Sequence, residues 1–377
     1  MGLENSVVEK KRFAFIEMET HSVLLEQWYL LLKEMNQIEF EFFVHEKVLH
    51  KLSSIPKEMI TVVKSVLEIP VHHFDAVVVN TFHRNFEQYK AVFDQKPTLC
   101  LLHNLNFSLF FKGISLRNVL SEKERLTYFL KLYLKEKVGS NRKLILKAGR
   151  FGVLSKSLQD EVAGKSRYAD RTQLVQMNYC QSSTFQPSDT INIVMPGNVS
   201  NKRKDVTMLL SVLPKLHPKS KLHFTFLGKP ENDTVLGQLE SLQKQCNENI
   251  EITHYNQFIP WEEYSQTVAK AHLLLCPIKS QTSFYWVDEI YGKTKVSGSE
   301  GDCIYNGKIG LFPTSYPKMN WHNLYYETAS DLETILNNLT IEQLSSEYEN
   351  LQPYLEQYTF ESVKNNLENQ LLQLANS

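Results

Sequence analysis

A loop with three consecutive cations separates a predicted strand from a predicted helix. The strand INIVMP is followed by Gly197 to Lys204, which include Asn198, Lys202 and Arg203, and the helix DVTMLLSVL comes next. A helix N-terminus offers free N–H groups, and Lys and Arg side chains attract anions. This loop is therefore predicted to bind a diphosphate, with a solvated basic turn as the alternative.

A glycine-rich segment, residues 288–302, carries a second set of polar groups, and it is predicted to lie at the carboxyl end of a strand that enters a helix. We expect the backbone N–H groups of Gly292, Lys293, Thr294 and Lys295 to cradle a phosphate or sugar hydroxyls. Glu289 is a candidate acceptor for sugar hydroxyls. The pattern GxxxxGK[ST] is absent, which excludes a P-loop. A surface loop that needs glycine for its turns is the alternative.

Two histidines follow predicted strands of the first half of the chain. His21 comes after RFAFIEMET, and His103, followed by Asn104, comes after TLCLL. An imidazole at such a position can polarise a substrate hydroxyl or donate to developing negative charge. The other reading for each is a structural or surface histidine. His72, His73, His83 and His254 follow no pattern, and no role is assigned to them.

Short apolar runs, among them IEFEFFV (38–44), KLILKAGRFGVLS (143–155), TINIVMPG (190–197) and KLHFTFLG (221–228), alternate with amphipathic stretches. This alternation predicts an α/β fold with parallel sheets. The polar segment QSSTFQPSD, residues 181–189, lacks periodicity and divides two such series. We therefore expect two doubly wound domains facing a central cleft. Their predicted bounds are 1–183 and 190–350, and a C-terminal helical segment, 351–377, is expected to cross back to the first domain.

Composition excludes several classes of protein. The 377 residues include 41 Lys plus Arg and 42 Asp plus Glu, so the net charge of −1 gives no global field for nucleic acid. Five scattered cysteines form no CxxC pair, so neither zinc nor a disulfide framework is indicated. No apolar signal segment or membrane span is found in the sequence, which predicts a cytoplasmic protein.

Charge is concentrated in residues 109–150. Eleven Lys and Arg stand against three Glu there, which gives a local charge of 11 − 3 = +8. Leu126, Phe129, Leu130, Tyr133 and Leu134 share one predicted helical face among these cations. The pattern favours an anionic membrane surface or an anionic acceptor. An ordinary solvated helix packed on its domain is the alternative.

The second half of the chain resembles the GT-B glycosyltransferases, and among them the large retaining family (family 4-like, group 1) that includes sucrose synthase and mannosyltransferases. INIVMPGNVSNKRKDVTMLLSVLPKL resembles that family's diphosphate loop, with Asn198 in place of its usual Arg and Arg203 in place of its Lys. The resemblance implies that Lys202 or Arg203 holds the donor diphosphate.

Two further stretches carry the resemblance. KLHFTFLG places Gly228 beside the donor, and HYNQFIPWEEYSQTVAKAHLLLCP matches a base-contacting stretch, here Gln257, Phe258 and Ile259. The family's Glu-x7-Glu motif falls on Glu289 and Ser297, which implies that Glu289 contacts the transferred sugar. A serine can bond one ribose hydroxyl but cannot accept from two as a carboxylate does.

In the first half, the resemblance places His103 near the reacting sugar. The family's Gly-rich loop after the first strand is replaced by Glu19, Thr20, His21 and Ser22, so acceptor-side contacts are expected from Thr20, His21 and Asn104.

The activity implied is transfer of a sugar from a UDP- or GDP-sugar to a hydroxyl of a glycan or lipid-linked acceptor, with retention of configuration and without a metal or other cofactor. The alternatives are a non-catalytic protein of the same fold that binds nucleotide sugars or glycans, and a nucleotide-sugar epimerase.

Overall fold

The computed structural model describes residues 9–120, 126–183 and 185–377. The chain divides into two units. The first consists of residues up to Met177 together with Ser283–Glu289 and Phe360–Ser377, and the second consists of Asn178–Thr282 and Ile290–Thr359.

The first unit is built on a parallel sheet whose strands are short apolar runs. The order of its seven strands among the described residues is β3-β2-β1-β4-β5-β6-β7. Phe13, Phe15 and Ile16 of β1 and Val77, Val78 and Val79 of β4 are fully buried, as expected for parallel strands covered on both faces. The strands are β1 Lys11–Glu17, β2 Ile38–Val44, β3 Ile60–Val62, β4 Ala76–Val79, β5 Thr98–Leu101, β6 Arg150–Val153 and β7 Thr172–Leu174.

Helices of the first unit follow most of these strands. Ser155 begins α8, where its hydroxyl accepts the N–H of Leu158. The helices are α1 Ser22–Leu32, α2 Glu46–Leu49, α3 Lys90–Gln95, α4 Leu105–Ser108, α5 Leu116–Leu120, α6 Leu126–Leu130, α7 Val138–Asn141 and α8 Lys156–Lys165, and the later α15 Phe360–Ala375 also belongs to this unit.

The second unit repeats the design with a six-stranded parallel sheet in the order β10-β9-β8-β11-β14-β15. Its strands are β8 Thr190–Pro196, β9 Lys221–Leu227, β10 Ile250–His254, β11 Leu273–Leu275, β14 Gly310–Pro313 and β15 Leu324–Tyr326. Its helices are α9 Val206–Val212, α10 Asp233–Leu242, α11 Trp261–Ala269, α12 Gly298–Tyr305, α13 Ala329–Asn338 and α14 Ile341–Leu355. Two parallel α/β Rossmann-like units confirm the predicted fold class.

A hairpin of β12 Gln281–Phe284 and β13 Val287–Ile290 forms a separate two-stranded sheet. Its residues Ser283–Glu289 belong to the first unit, where Trp286 and Val287 join the apolar core. The sequence predicted a strand running directly into a helix here, and that prediction is wrong because the hairpin intervenes. The predicted strand 143–155 is also shorter: Arg142–Lys147 is a 3-10 helix, and only Arg150–Val153 is extended.

Candidate functional sites

Each sheet has a topological switch point, where successive strands turn to opposite sides. In the first unit it lies between β1 and β4, and in the second between β8 and β11. Ligands of doubly wound folds bind beside the carboxyl ends of the strands at such points. The sequence places polar residues after all four strands, so each unit is described from its own switch point.

Glu17 is the centre of the polar cluster in the first unit. This carboxylate ends β1 and is fully buried. One oxygen accepts the N–H groups of Glu19 (2.6 Å) and Thr20 (3.2 Å). The other accepts the side chains of Asn80 and Thr81, both at 2.6 Å. Four donors thus satisfy a buried charge and fix the loops that follow β1 and β4.

His21 is linked to Glu17 through Thr81. Its Nδ1 lies 2.7 Å from the Thr81 hydroxyl oxygen, and that hydroxyl donates its one proton to the Glu17 carboxylate. The Thr81 oxygen must therefore accept from Nδ1–H. Neutral His21 then carries its proton on Nδ1, and Nε2 is the basic nitrogen. The arrangement is a carboxylate, hydroxyl and imidazole relay suited to accepting a proton.

The structure brings His103 and His83 to the same place as His21. The rings of His21 and His103 stack with centroids 3.9 Å apart, and the ring of His83 lies 5.7 Å from the first and 5.8 Å from the second. Nε2 of His103 donates to the carbonyl of Asn80 (2.7 Å). His83 was given no role from the sequence, and the structure places it buried beside these two rings.

The other acceptor-side residues of the sequence prediction also lie here. Thr20 is exposed and its N–H bonds Glu17. Asn104 is buried, its Nδ2 lies 3.4 Å from Nε2 of His83, and its Oδ1 has no hydrogen-bond partner among the described residues. The Asn104 Oδ1 atom is itself shielded from solvent, so Thr20 is the more accessible of these two residues.

Lys204 shapes the basic loop of the second unit. Its buried ammonium donates to the carbonyls of Pro196, Gly197 (3.0 Å) and Asn198 (3.2 Å), which uses its three N–H bonds. Burial lowers the pKa of Lys204 to about 8. Lys202 and Arg203, named from the sequence, are exposed on the same loop. The loop therefore has one buried cation, Lys204, and two exposed cations, Lys202 and Arg203. This distribution of charge attracts anions.

Gly228 ends the strand next to this loop. A Cβ at this position would collide with the backbone of Gly197 and would lie 2.8 Å from the nitrogen of Asn198. Only glycine permits this close approach of the β8 and β9 loops. The sequence placed Gly228 beside the donor, and the structure places it against the basic loop that contains Asn198.

The Gly292 turn is built differently from the phosphate cradle that the sequence predicts. The N–H groups of Lys293, Thr294 and Lys295 are donated to the carbonyl of Ile290, and that of Gly292 to the carbonyl of Lys295. Gly292 has a φ of 76°, where a Cβ would also strike Pro317. These four N–H groups therefore close a turn, which corrects the cradle interpretation. The ammonium groups of Lys293 and Lys295 are the turn's cationic groups.

Glu289, expected to contact the transferred sugar, lies inside the first unit. It is fully buried, and its two carboxylate oxygens accept the N–H groups of Phe107 (2.9 Å) and Asn106 (3.3 Å) at the start of α4. The adjacent Asn106 side chain donates to the carbonyl of Asp288 (2.7 Å). This geometry gives Glu289 a structural function in joining the hairpin to α4.

Ser297 and the base-contacting stretch occupy separate positions in the second unit. The Ser297 hydroxyl accepts the N–H of Ser299 (3.3 Å) and so begins α12. Ile259 is buried, whereas Gln257 and Phe258 are exposed, Phe258 by 84%. Trp261 and Tyr264 stack close by in the chain with ring centroids 5.7 Å apart.

Two carboxyl groups on α12 were not singled out from the sequence. Burial raises the pKa of Asp302 to about 6, against the opposing effects of the Lys204 charge and a hydrogen bond from Tyr264. Burial also raises the pKa of Glu300 to about 7, and the Tyr316 hydroxyl donates to it at 2.8 Å. Acids whose pKa values are strongly shifted, such as these two, mark candidate functional sites. The sequence signal was available, since both acids follow the Ser297 N-cap within one and a half turns.

We expect Glu300→Gln to stabilise the protein at pH 8 and not at pH 4. The folded-state pKa of about 7 exceeds the ordinary 4.5, so folding favours the protonated form, and stability present below pH 4.5 is lost as pH rises through 7. The uncharged amide avoids this loss and can still accept from Tyr316. Urea unfolding should show a gain of about 1–3 kcal/mol at pH 8.

The matched control for this prediction is Glu349→Gln. Glu349 is exposed, and removing its charge should change the free energy of unfolding by less than about 0.5 kcal/mol at either pH. Equal effects of Glu300→Gln at both pH values would contradict the assignment of a buried, titrating carboxyl group.

Metal-ligand clusters and membrane spans were sought among the described residues. Residues 9–120, 126–183 and 185–377 contain no group of three or more His, Cys, Asp or Glu side chains arranged to hold a metal ion. Within the same ranges, every helix is too short or too polar to cross a bilayer.

Structural comparison identifies the fold class. The chain is similar to HepE of Anabaena in complex with UDP-glucose, with 10% identity, a TM-score of 0.60 and coverage of 96% of this chain and 100% of that one. It is similar to the lipopolysaccharide outer core galactosyltransferase WaaB, with 12% identity, a TM-score of 0.56 and coverage of 96% and 99%. The two-unit architecture is thus the GT-B fold.

A third similar structure is the N-terminal domain of trehalose-6-phosphate phosphatase from Candida albicans, with 11% identity, a TM-score of 0.59 and coverage of 99% of both chains. No protein-family model matches the sequence. No curated protein matches it significantly either. Since identities near 10% show the fold alone, function must be argued from the two sites.

Proposed function

We propose that the protein is a glycosyltransferase that moves a sugar from a nucleotide-diphosphate sugar to a hydroxyl group of a glycan or lipid-linked acceptor. The observation that carries the proposal is the relay from Glu17 through Thr81 to His21 at the first switch point. The structures of HepE with UDP-glucose and of the galactosyltransferase WaaB share its fold and support the proposal.

The chemistry assigned to each unit follows from its charges. In the second unit, the loop that contains Lys202, Arg203 and buried Lys204 binds the donor diphosphate. The bond between the sugar carbon and the diphosphate oxygen breaks, and the electron pair leaves with the diphosphate. A bond then joins the sugar carbon to the acceptor oxygen, whose proton passes to Nε2 of His21. Asn104 and His103 hold acceptor or sugar hydroxyls.

We further propose that transfer does not depend on a metal ion, on the ground that three cations in one loop can offset the charge of the leaving diphosphate.

Retention of configuration is implied by the resemblance to the retaining family. A relayed imidazole, by contrast, is the kind of base used by displacement with inversion. The anomeric configuration of the product, read from its proton NMR coupling, assigns the outcome.

The first experiment is a thermal-shift screen with UDP, GDP, ADP, CMP and their common sugar conjugates. A ligand at 100 times its Kd stabilises the native state by about 2.7 kcal/mol, so one nucleotide should raise the Tm selectively. Turnover is then measured by mass spectrometry of the donor with a panel of glycan and lipid-linked acceptors. No shift with any nucleotide would contradict the proposal. Binding without turnover would favour a non-catalytic nucleotide-sugar-binding protein, and donor conversion without acceptor an epimerase.

Arg203→Ala is expected to weaken binding of the nucleoside diphosphate selected by the thermal-shift screen by about 1.5–3 kcal/mol, because a charge-assisted contact is lost. Isothermal titration calorimetry measures the change. Lys244→Ala, an exposed charge removed elsewhere in the second unit, is the control and should bind as the wild type does. Equal affinity of the Arg203 variant and the wild type would reject the diphosphate role of Arg203.

A further inference from the structure

A cavity of about 590 Å³ lies within the first unit, formed by α4, the residues that follow it, and the end of α8. Four cations line it, Lys112, Lys143, Lys165 and Arg167, against one acid, Glu161. Glu161 is paired with Lys165. Within the described residues, Lys112, Lys143 and Arg167 form no ion pair with a carboxylate. The cavity, hereafter the basic cavity, therefore has an excess of positive charge that an anion would offset.

Arg142 holds the wall of the basic cavity in a strained conformation. Phe111 has a φ of 51°, which is rare for a bulky residue and strains the backbone. The buried Arg142 guanidinium donates to the carbonyls of Phe111 (3.0 Å) and Lys112 (2.9 Å) and lies 5.6 Å from the Phe111 ring. These two hydrogen bonds hold the strained backbone at Phe111 and so fix the position of Lys112 at the cavity.

One further lining cation, Arg167, has a fixed position. Arg167 lies 5.0 Å from the ring centroid of Tyr168 and donates to its hydroxyl at 2.8 Å. The ligand chemistry that fits the cations Lys112, Lys143 and Arg167 is a phosphate group.

The segment that follows Lys112 in the chain carries exposed apolar and basic side chains. Eight large hydrophobic side chains are exposed among the described residues, and three of them are Leu116, Leu130 and Leu134. Exposed Lys131 and Lys135 flank these last two leucines. Leu126, part of the helical face predicted from the sequence, has a side chain outside the described residues.

That predicted face divides in the structure. The rings of Phe129 and Tyr133 pack near Trp286, at 5.4 and 6.3 Å, while Leu130 and Leu134 are exposed. Ser115, directly before Leu116, donates to the carbonyl of the same Trp286 (2.8 Å). The residues next to the exposed leucines thus contact Trp286 of the first unit. The segment that carries the leucines begins at Ser115, three residues after Lys112.

We infer that the basic cavity binds the phosphate group of an anionic glycerophospholipid headgroup, while the exposed leucines enter the lipid. Charge complementarity selects the anion, and the leucines select a lipid over a water-soluble phosphate ester. This binding site is independent of the proposed sugar transfer.

The test is flotation with vesicles of phosphatidylcholine alone or mixed with phosphatidylglycerol, at low salt. Wild-type protein should float only with the mixed vesicles. Lys112→Ala combined with Lys143→Ala should weaken binding by about 30-fold, since each cation near an anionic surface contributes about fivefold. The matched control removes two exposed lysines of the second unit, Lys221→Ala with Lys244→Ala, and should bind within about threefold of the wild type.

Three outcomes would overturn the inference. The first is wild-type protein that fails to float with phosphatidylglycerol at low salt, and the second is equal loss in both double variants, which would mean general charge attraction. The third combines two results: glycerol phosphate or inorganic phosphate displaces the protein from vesicles, and the double variant Leu130→Ser with Leu134→Ser floats as the wild type does. Together they would mean that the ligand is a soluble phosphate ester. Nucleotide thermal shifts measured on the same variants report separately on the proposed sugar transfer.

Discussion

Replacing His21 with alanine is expected to slow sugar transfer by about 10²–10⁴-fold while nucleoside diphosphate affinity stays within about twofold. The physical reason is the relay, in which Glu17 and Thr81 fix the His21 proton on Nδ1 and leave Nε2 as the base. Loss of the imidazole removes the acceptor for the hydroxyl proton. It leaves the diphosphate loop of the second unit unchanged. Initial rates of transfer, with the donor identified by the thermal-shift screen, measure the effect.

The relay itself can be tested at Thr81. Thr81→Val has nearly the same shape but lacks the hydroxyl, so His21 loses the partner that sets its tautomer. We expect a rate loss of about 10–1000-fold. Thr81→Ser restores the hydroxyl and should recover most of the rate. A purely structural role for Thr81 would instead lower the Tm of both variants without separating their rates.

The control for His21 is His73→Ala, which removes an exposed imidazole of the same unit. Its rate and affinity should match those of the wild type. Transfer at the wild-type rate by the His21 variant would show that another group takes the proton and would remove the relay from the mechanism.

Strands were well predicted where apolar residues run without interruption. Residues 38–44 were predicted as a strand with the bounds that β2 has, and β8 and β9 each differ from their predicted bounds by one residue. Buried parallel strands require such runs, so the pattern reports the structure directly. β3, β7 and β15 are only three residues long and were not recognised, because so short a segment carries no period.

The site was less predictable because it depends on pairs far apart in the chain. His21 and His103 were named from their places after strands, but nothing local indicates that Thr81, 60 residues from His21 and 64 from Glu17, joins the two. The parallel pairing of β1 with β4 brings these loops together. Lys204 was adjacent to residues that were named, yet its burial follows from the turn that it closes and is invisible in composition.

Glu289 illustrates the opposite difficulty, a residue whose type suggests catalysis and whose contacts indicate structure. Motif spacing placed it against a transferred sugar. The hairpin instead carries it into the first unit, where the N–H groups of Asn106 and Phe107 satisfy its two oxygens. A carboxylate and an N–H group interact in the same way whether they serve catalysis or folding, so sequence spacing alone could not separate the two functions.

Glu289→Ala is therefore expected to lower the free energy of unfolding by about 2–6 kcal/mol, because two buried N–H groups lose their acceptor at about 1–3 kcal/mol each. Urea unfolding measures the loss, and hydrogen exchange should show faster exchange at the amides of Asn106 and Phe107. Glu289→Gln keeps one oxygen acceptor and should lose less.

The neighbouring Asp288→Ala is the matched control for Glu289. Asp288 is exposed, and among the described residues its carboxylate accepts one hydrogen bond, from Asn118 at 2.7 Å, so its removal should cost less than about 1 kcal/mol. Both readings of Glu289 predict reduced sugar transfer in the alanine variant, but only the structural one predicts that stability falls in parallel. Wild-type stability combined with a collapse of turnover would return Glu289 to the transferred sugar, where the resemblance first placed it.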